Sequence, residues 1–189
     1  MTDLHSHLLP YVDDGAHDLE EAERLLGMEA EQGVRTVCLT PHLREGMFET
    51  PDEVIRAHYG RLCPIAEAKG LRLYLSREYH YDGLFRERLR TGVLLPIGGR
   101  VLLTEFSYAH SAGQMLAAAA EIRRYRYTPL IAHIERYAAA DAETVSALRA
   151  AGALIQVNAD AVLGHDGRHA KRLAWELLTA GLADVIASD

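Results

Sequence analysis

The 189-residue sequence predicts an α/β fold, a closed or nearly closed barrel of parallel strands. Three observations carry that reading. Short β-branched, apolar runs alternate with helical stretches along the whole chain. No linker, low-complexity segment or sequence repeat interrupts the alternation, so residues 1–189 are expected to form a single domain. The ends of the strands hold nearly all the chemically interesting polar residues, and parallel strands deliver those ends to one face. A doubly wound open sheet is the structural rival. It would usually carry a Gly-rich phosphate turn after the first strand, and HSHLLPYVDDG is not one.

The elements follow in order. Residues 2–7 (TDLHSH) read as the first strand. DLEE at 18–21 is a capping box, with Asp18 as N-cap and Glu21 three residues on, opening a helix that Gly33 stops. Residues 34–40 are β-branched and apolar, a second buried strand. TPDE at 50–53 starts a helix with Pro51 at its first position, running to about residue 69. Residues 71–76 form the third strand, followed by a short helical piece at 84–90. Residues 93–97 and 100–105 flank Gly98-Gly99, so a hairpin is expected before the fourth strand. An Ala-rich helix over 113–126 leads to the fifth strand at 129–133. A helix at 142–151 ends at Gly152, the sixth strand is 154–157, a helix covers 168–180, and 184–187 is the seventh strand.

Composition narrows the function. A net charge of −7 argues against a nucleic-acid or acidic-membrane surface, which would need clustered Lys and Arg. MTDLHSHLLP has neither the basic nor the apolar region of a signal peptide, and no apolar run is long enough to span a bilayer. Two cysteines, Cys38 and Cys63, are too few for a disulfide framework. The expectation is a cytoplasmic protein with no transmembrane segment. The sequence specifies no oligomeric state.

The ten histidines matter because of where several of them fall. The first strand ends in His5 and His7, the second in His42, the third in Glu78, the fourth in Glu105, the fifth in His133 and the seventh in Asp189. Six of seven strands ending in a potential ligand is more than packing alone would produce. His5 and His7 share one side of a strand because side chains alternate with period two. Imidazoles joined to carboxylates make a mixed N/O site suited to Mn, Fe or Zn. No Cys joins the set, which disfavours a closed structural zinc site. The donors exceed the needs of one ion, and two-metal clusters of this kind activate water and stabilise attacking and leaving oxygens in phosphoryl transfer. A competing motif, Cys38 to Arg44, has the C-x5-R spacing of cysteine-dependent tyrosine phosphatases. Pro41 lacks the N–H such a phosphate cradle needs, and Cys38 lies in an apolar strand. Arg136, three residues after His133, is placed to fork onto a phosphate.

These residues resemble a known family, the bacterial PHP-type (polymerase and histidinol phosphatase) protein-tyrosine phosphatases of the capsule-regulating CpsB/YwqE kind. DLHSHLLP (3–10) with VDDG (12–15), TPHLREGMFETP (40–51), AHIERY (132–137) and IASD (186–189) carry the match. Glu78 and LTEF (103–106) fall at the right places between them. The resemblance implies a distorted (β/α)7 barrel holding two or three divalent ions, usually manganese. It implies that His5, His7, Glu78 and Asp189 hold one ion and that Glu78, Glu105 and His133 hold a second, with Glu78 as the bridge. Asp14 and His42 would hold a third, with Asp13 an alternative to Asp14. Arg136 would bind the phosphate, and the implied substrate is phosphotyrosine on the tail of a bacterial tyrosine autokinase controlling exopolysaccharide export. A hydroxide shared by the ions would attack phosphorus, with His42 or a water aiding the leaving group.

This chain departs from the family at Tyr11, where many members have Gly, at Arg77, where Gly is common, and at Ile134, which replaces the usual Pro. Family members also continue from Ser-Asp into Ala-His and further. A barrel truncated after its seventh strand is therefore expected, with a third ion absent or partly held; a truncated product and a shortened protein both fit. The rival readings are a small-molecule phosphatase acting on a compound such as histidinol phosphate, an amidohydrolase, and an inactive binding module. No strand end carries the Lys that many amidohydrolases modify to bridge their metals.

Overall fold

The computed structural model describes residues 1–189. Nine strand segments are β1 (Thr2–Ser6), β2 (Thr36–Leu39), β3 (His42–Leu43), β4 (Arg72–Leu75), β5 (Glu78–His80), β6 (Val101–Glu105), β7 (Thr128–Ile131), β8 (Leu154–Asn158) and β9 (Val185–Ala187). They pair in the orders β1-β2-β4 and β3-β5-β6-β7-β8-β9, and every pairing between them is parallel. β2 and β3 are one stave interrupted at Thr40-Pro41, where proline offers no ladder N–H. β4 and β5 are likewise one stave interrupted at Ser76-Arg77. Across the break Ser76 N–H donates to Leu39 O (2.9 Å) and Glu78 N–H to Pro41 O (3.2 Å), so the two staves stay in step. The nine segments therefore make the seven staves of a distorted barrel. Its seam lies between β1 and β9, where Asp189 N–H donates to the His5 carbonyl at 2.9 Å. The Asp3 carboxylate clamps the same seam, accepting from Ser188 N–H (3.1 Å) and Ser188 Oγ (2.7 Å).

Helices α1 (Leu19–Glu31), α2 (Asp52–Ala68), α3 (Gly83–Thr91), α4 (Ala112–Arg124), α5 (Ala142–Ala150), α6 (Ala159–Leu163) and α7 (Gly167–Thr179) surround the sheet. Alternation along each strand sorts the side chains. Val37, Leu39 and Leu73 pack outward with Leu26, Ile55 and Leu62 of α1 and α2. Ile131, Ile155 and Val157 pack with Met115, Val145, Leu148, Leu173 and Leu177. Each fully buried aliphatic side chain contributes about 2 kcal/mol. Inside the barrel Leu103, Leu130 and Ala132 form a separate apolar plug. Leu103 lies two residues before Glu105 on β6, so the plug floors the face where the polar residues gather.

Asp18 caps α1 as predicted, its Oδ1 accepting from Glu21 N–H at 2.8 Å, but the Glu21 carboxylate returns to His17 N–H rather than to Asp18. Pro51 occupies the N-cap of α2 rather than its first turn, and the Thr50 hydroxyl instead donates to Val12 O (3.0 Å). Residues 93–97 do not form a strand. Only Ile97 pairs with Val101, around Gly98-Gly99, whose φ values of 56° and 81° suit glycine. The short α6, directly after β8, was not anticipated. No helix is long and apolar enough to cross a membrane.

Candidate metal centre

β1 pairs with β2 through Asp3 opposite Val37 and Ser6 opposite Leu39, so Leu4 and His5 together face Cys38 alone. This bulge re-aims His5 into the barrel, where its Nδ1 meets Gln156 Oε1 at 2.8 Å. His7 follows the strand and is set by Asp13, whose Oδ2 meets His7 Nδ1 at 2.9 Å. The same carboxylate accepts the backbone N–H groups of His42 (3.0 Å) and Gly15 (3.0 Å). A Cβ on Gly15 would lie 2.1 Å from the His7 carbonyl oxygen, so only glycine lets this loop close on His7. With Nδ1 engaged by a carboxylate, Nε2 of His7 carries its lone pair inward.

The converging atoms lie at ligand spacing. His5 Nε2 and His7 Nε2 are 3.0 Å apart. Asp189 Oδ1 is 3.1 and 3.3 Å from them, and Glu78 Oε2 is 3.2 and 3.3 Å from them. His42 Nδ1 is 3.1 Å from Glu78 Oε2 and 3.3 Å from Glu105 Oε1. Donors held about 2.1 Å from one ion at tetrahedral or octahedral angles are about 3.0–3.4 Å apart. Three groups, His5/His7/Glu78/Asp189, His42/Glu78/Glu105 and His7/Asp14/His42, each bring one donor atom per residue within 4.8 Å. Buried atoms that find no hydrogen-bond partner cluster here too: His42 Nδ1, Glu78 Oε2, His80 Nδ1 and Glu105 Oε1. Buried polar atoms are rarely left so, and a divalent cation is the partner this donor set fits.

Burial opposes charge at His5, His7, His42, Glu78, Glu105 and Asp189, yet opposite charges prevail. Against burial, Glu78 and Asp189 raise the His5 pKa, while Asp13, Asp189 and Glu78 raise that of His7 well above its usual value. Glu105 and Glu78 raise His42 in the same way. In turn His5, His133 and His7 outweigh burial to hold Glu78 well below the usual carboxylate range. His7, His5 and His133 depress Asp189, and His42 and His80 hold Glu105 at about 2. The carboxylates are thus ionised and draw positive charge to the site, whether as protons or as metal.

All eight residues expected as ligands sit on this face, with different roles. His133, placed by the resemblance with Glu78 and Glu105, has its Nε2 at 2.9 Å from Glu78 Oε1 and its Nδ1 at 3.3 Å from the Tyr137 hydroxyl, while the donor atoms that lie within 4.8 Å of one another with Glu78 and Glu105 include His42. Asp14 is peripheral, its side chain 67% exposed and its Oδ1 3.6 Å from His42 Nε2. A neutral imidazole has one lone pair, so His42 serves one of its two groups at a time. Asp13 orients His7 rather than standing in for Asp14. Arg136 is tied to the ligand set, Nη1 donating to Asp189 Oδ2 at 2.6 Å, beside an open cavity of about 440 Å³ lined by Tyr108, Glu135, Arg136, Asp166, His169 and Ala170. Asn158 Nδ2 donates to the same Asp189 oxygen at 2.7 Å. Cys38 is buried, and burial and Asp3 push its thiol up to about 12.

Sequence reasoning missed His80, Gln156 and Asn158. Period-two spacing from Glu78 would have found the first, and the alternation Gln156-Val157-Asn158 the other two.

The model of the family described as capsular polysaccharide synthesis, CpsB/CapC, matches residues 1–189. The tyrosine-protein phosphatase CpsB of Streptococcus pneumoniae is 35% identical over 199 residues, spanning all of this chain and 82% of its own. The tyrosine-protein phosphatase YwqE of Bacillus subtilis is 27% identical, spanning all of this chain and 76% of its own. A crystal structure from the work on YwqE of Bacillus subtilis and CpsB of Streptococcus pneumoniae, described as unique metal-dependent tyrosine phosphatases, superposes with a TM-score of 0.87 at 28% identity. It covers all of this chain and 78% of the solved one. With the family model matched end to end and the fold shared, this chain belongs to the CpsB/CapC family.

Proposed function

We propose that residues 1–189 act as one metal-dependent phosphomonoesterase domain that hydrolyses protein phosphotyrosine. In this reading the metal is manganese, the protein is cytoplasmic, and the substrate is a tyrosine autokinase controlling capsule or exopolysaccharide synthesis. The observation that carries it is the convergence of His5, His7, His42, Glu78, Glu105 and Asp189 at ligand spacing, with buried donor atoms that have no other partner.

Divalent ions held by those residues would lower the pKa of water toward neutrality and offset charge on the phosphoryl oxygens. The chain supplies the rest. Glu78, facing both groups through Oε2, fixes their separation. Arg136, anchored on Asp189, keeps further N–H donors for a phosphate oxygen. The leaving phenolate has a pKa of about 10 and needs less protonation than an alkoxide. A water at the site can supply that proton, and His42, whose Nε2 lies near Asp14, can do so only while its Nδ1 holds no ion. Tyr108, 64% exposed beside Arg136, and Phe48, stacked on His42 at 5.2 Å, offer aromatic surface to an aryl ester.

The test is side-by-side turnover of a phosphotyrosine peptide and histidinol phosphate, with metal content measured on the same protein. Chelation should abolish turnover, manganese should restore it, and the peptide should be preferred. Turnover indifferent to chelation, or a preference for histidinol phosphate, would overturn the reading.

A further inference from the structure

His80 is a histidine of this face that joins none of the three donor groups. It lies two residues beyond Glu78 on β5 and therefore points the same way, into the barrel. In the β5–β6 register its direct neighbour is Glu105. The residue is 8% exposed, and its Nδ1 is buried without a hydrogen-bond partner, 3.2 Å from Glu105 Oε1. That oxygen is also buried, and the other side chain at ion-pair distance from it is His42. His42 is itself one of the donors that group with Glu105, so it cannot both take an ion and serve as the carboxylate's only support. A carboxylate at the end of a long side chain turns easily about its last bond. Something outside the donor set must hold it.

We propose that His80 is a positioning residue for the second metal group: a small turn of its ring would bring Nδ1–H, unpaired and 3.2 Å from Glu105 Oε1, into line to donate to that oxygen and fix the carboxylate against His42 and Glu78. His80 lies outside the 4.8 Å set formed by His42, Glu78 and Glu105, so it holds the carboxylate rather than joining the set. Ligating carboxylates are commonly held by such outer hydrogen bonds, and these tune metal affinity. An apolar side chain would fill the same space without offering a donor to the oxygen. The inference rests on the metal-dependent reading above.

Manganese binding to the full 189-residue chain, by calorimetry with metal analysis, tests it on wild type, His80→Ala and His80→Asn. The asparagine amide nitrogen overlays Nδ1 of the imidazole and keeps the donor. His80→Ala should leave the tighter ion unchanged and weaken the other about 10- to 100-fold, while His80→Asn should stay within about 3-fold of wild type. With a phosphotyrosine peptide, kcat of His80→Ala should fall at limiting manganese and recover at saturation, with KM little changed. Wild-type affinity for both ions in His80→Ala would overturn the proposal. So would equal weakening in His80→Ala and His80→Asn, which would assign the role to the ring itself. If His80→Ala does not fold, His80→Asn against His80→Gln decides, because the glutamine amide overlays Nε2 and misplaces the donor; equal behaviour of those two overturns the idea. A wild-type chain that binds no divalent ion would instead sink the metal reading, and the two failures are distinguishable.

Discussion

Replacing Glu78 with Gln changes one oxygen into an amide and removes one charge, with the side-chain shape preserved. Glu78 is fully buried, and its Oε2 lies 3.1–3.3 Å from His5 Nε2, His7 Nε2 and His42 Nδ1. Its Oε1 meets His133 Nε2 at 2.9 Å. The variant therefore loses the one anion common to two of the donor groups. A metal supplies several kcal/mol of transition-state charge stabilisation, so losing one ion at about 4 kcal/mol lowers turnover about 10³-fold. At least one equivalent of metal should be lost. In the metal-free protein the same change removes a main cause of the raised pKa of His5, so its titration, followed by NMR, should fall toward the usual value of about 6.5. Metal analysis, phosphotyrosine-peptide kinetics and the imidazole titration are read on one preparation. Glu78→Gln with full metal content and wild-type turnover would refute the bridging role.

Cys38→Ser should leave turnover nearly unchanged, since burial and Asp3 push the thiol up to about 12 and Pro41 has no N–H for a phosphate cradle; inactivity with fold and metal intact would revive the cysteine mechanism. Arg136→Ala should keep its metals yet lose roughly 10- to 100-fold in kcat/KM, the worth of about 1.5–3 kcal/mol of charged hydrogen bonding; loss of metal in that variant would show that its grip on Asp189 matters more than phosphate. The pH response should differ with loading. His5, His7 and His42 have pKa values raised in the folded chain, so their contribution to metal-free stability is complete below about 6.5 and is lost as pH rises through the raised folded values. Metal affinity should move the other way, because ligating imidazoles must be neutral. Thermal unfolding of metal-free and manganese-loaded protein across pH checks both signs, and parallel curves would contradict the cluster's electrostatics.

The seven-stave order was legible because each stave is a short apolar run closed by a helix signal, and all seven staves appear. The breaks within two staves were not. Pro41 announces one, but the Ser76-Arg77 break depends on Arg77 turning outward and burying its guanidinium against Thr50 O and Asp52. That is a tertiary contact no local pattern encodes. Missing it shortened the third strand and hid His80. The convergence of these side chains was legible because strand ends meet on one face of a parallel barrel, but their exact spacing was not. That spacing depends on side-chain torsions, which turn His42 toward Glu78 and Glu105 and set His133 between Glu78 and Tyr137. The departure at Tyr11 also becomes clear only in three dimensions. Its φ of 67° is left-handed, the conformation that favours the glycine of other members.

The closure of the barrel and the first metal group are built from the same few residues. The seam has one backbone hydrogen bond, from Asp189 N–H to His5 O, and both of those residues supply donor atoms to the group. Asp3 sits beside them and accepts from His5 N–H at 3.3 Å as well as from Ser188, so it holds the bulge and the seam together. In the proposed reading an ion bound by His5, His7 and Asp189 bridges β1 to the chain beyond β9. A ligand that binds only the closed barrel stabilises it by about 2.7 kcal/mol at one hundred times its Kd. Loading and closure are then one linked equilibrium. In that reading, loosening the seam at Asp3 should weaken the first group although Asp3 belongs to none of the donor groups, and filling the group should tighten the seam further.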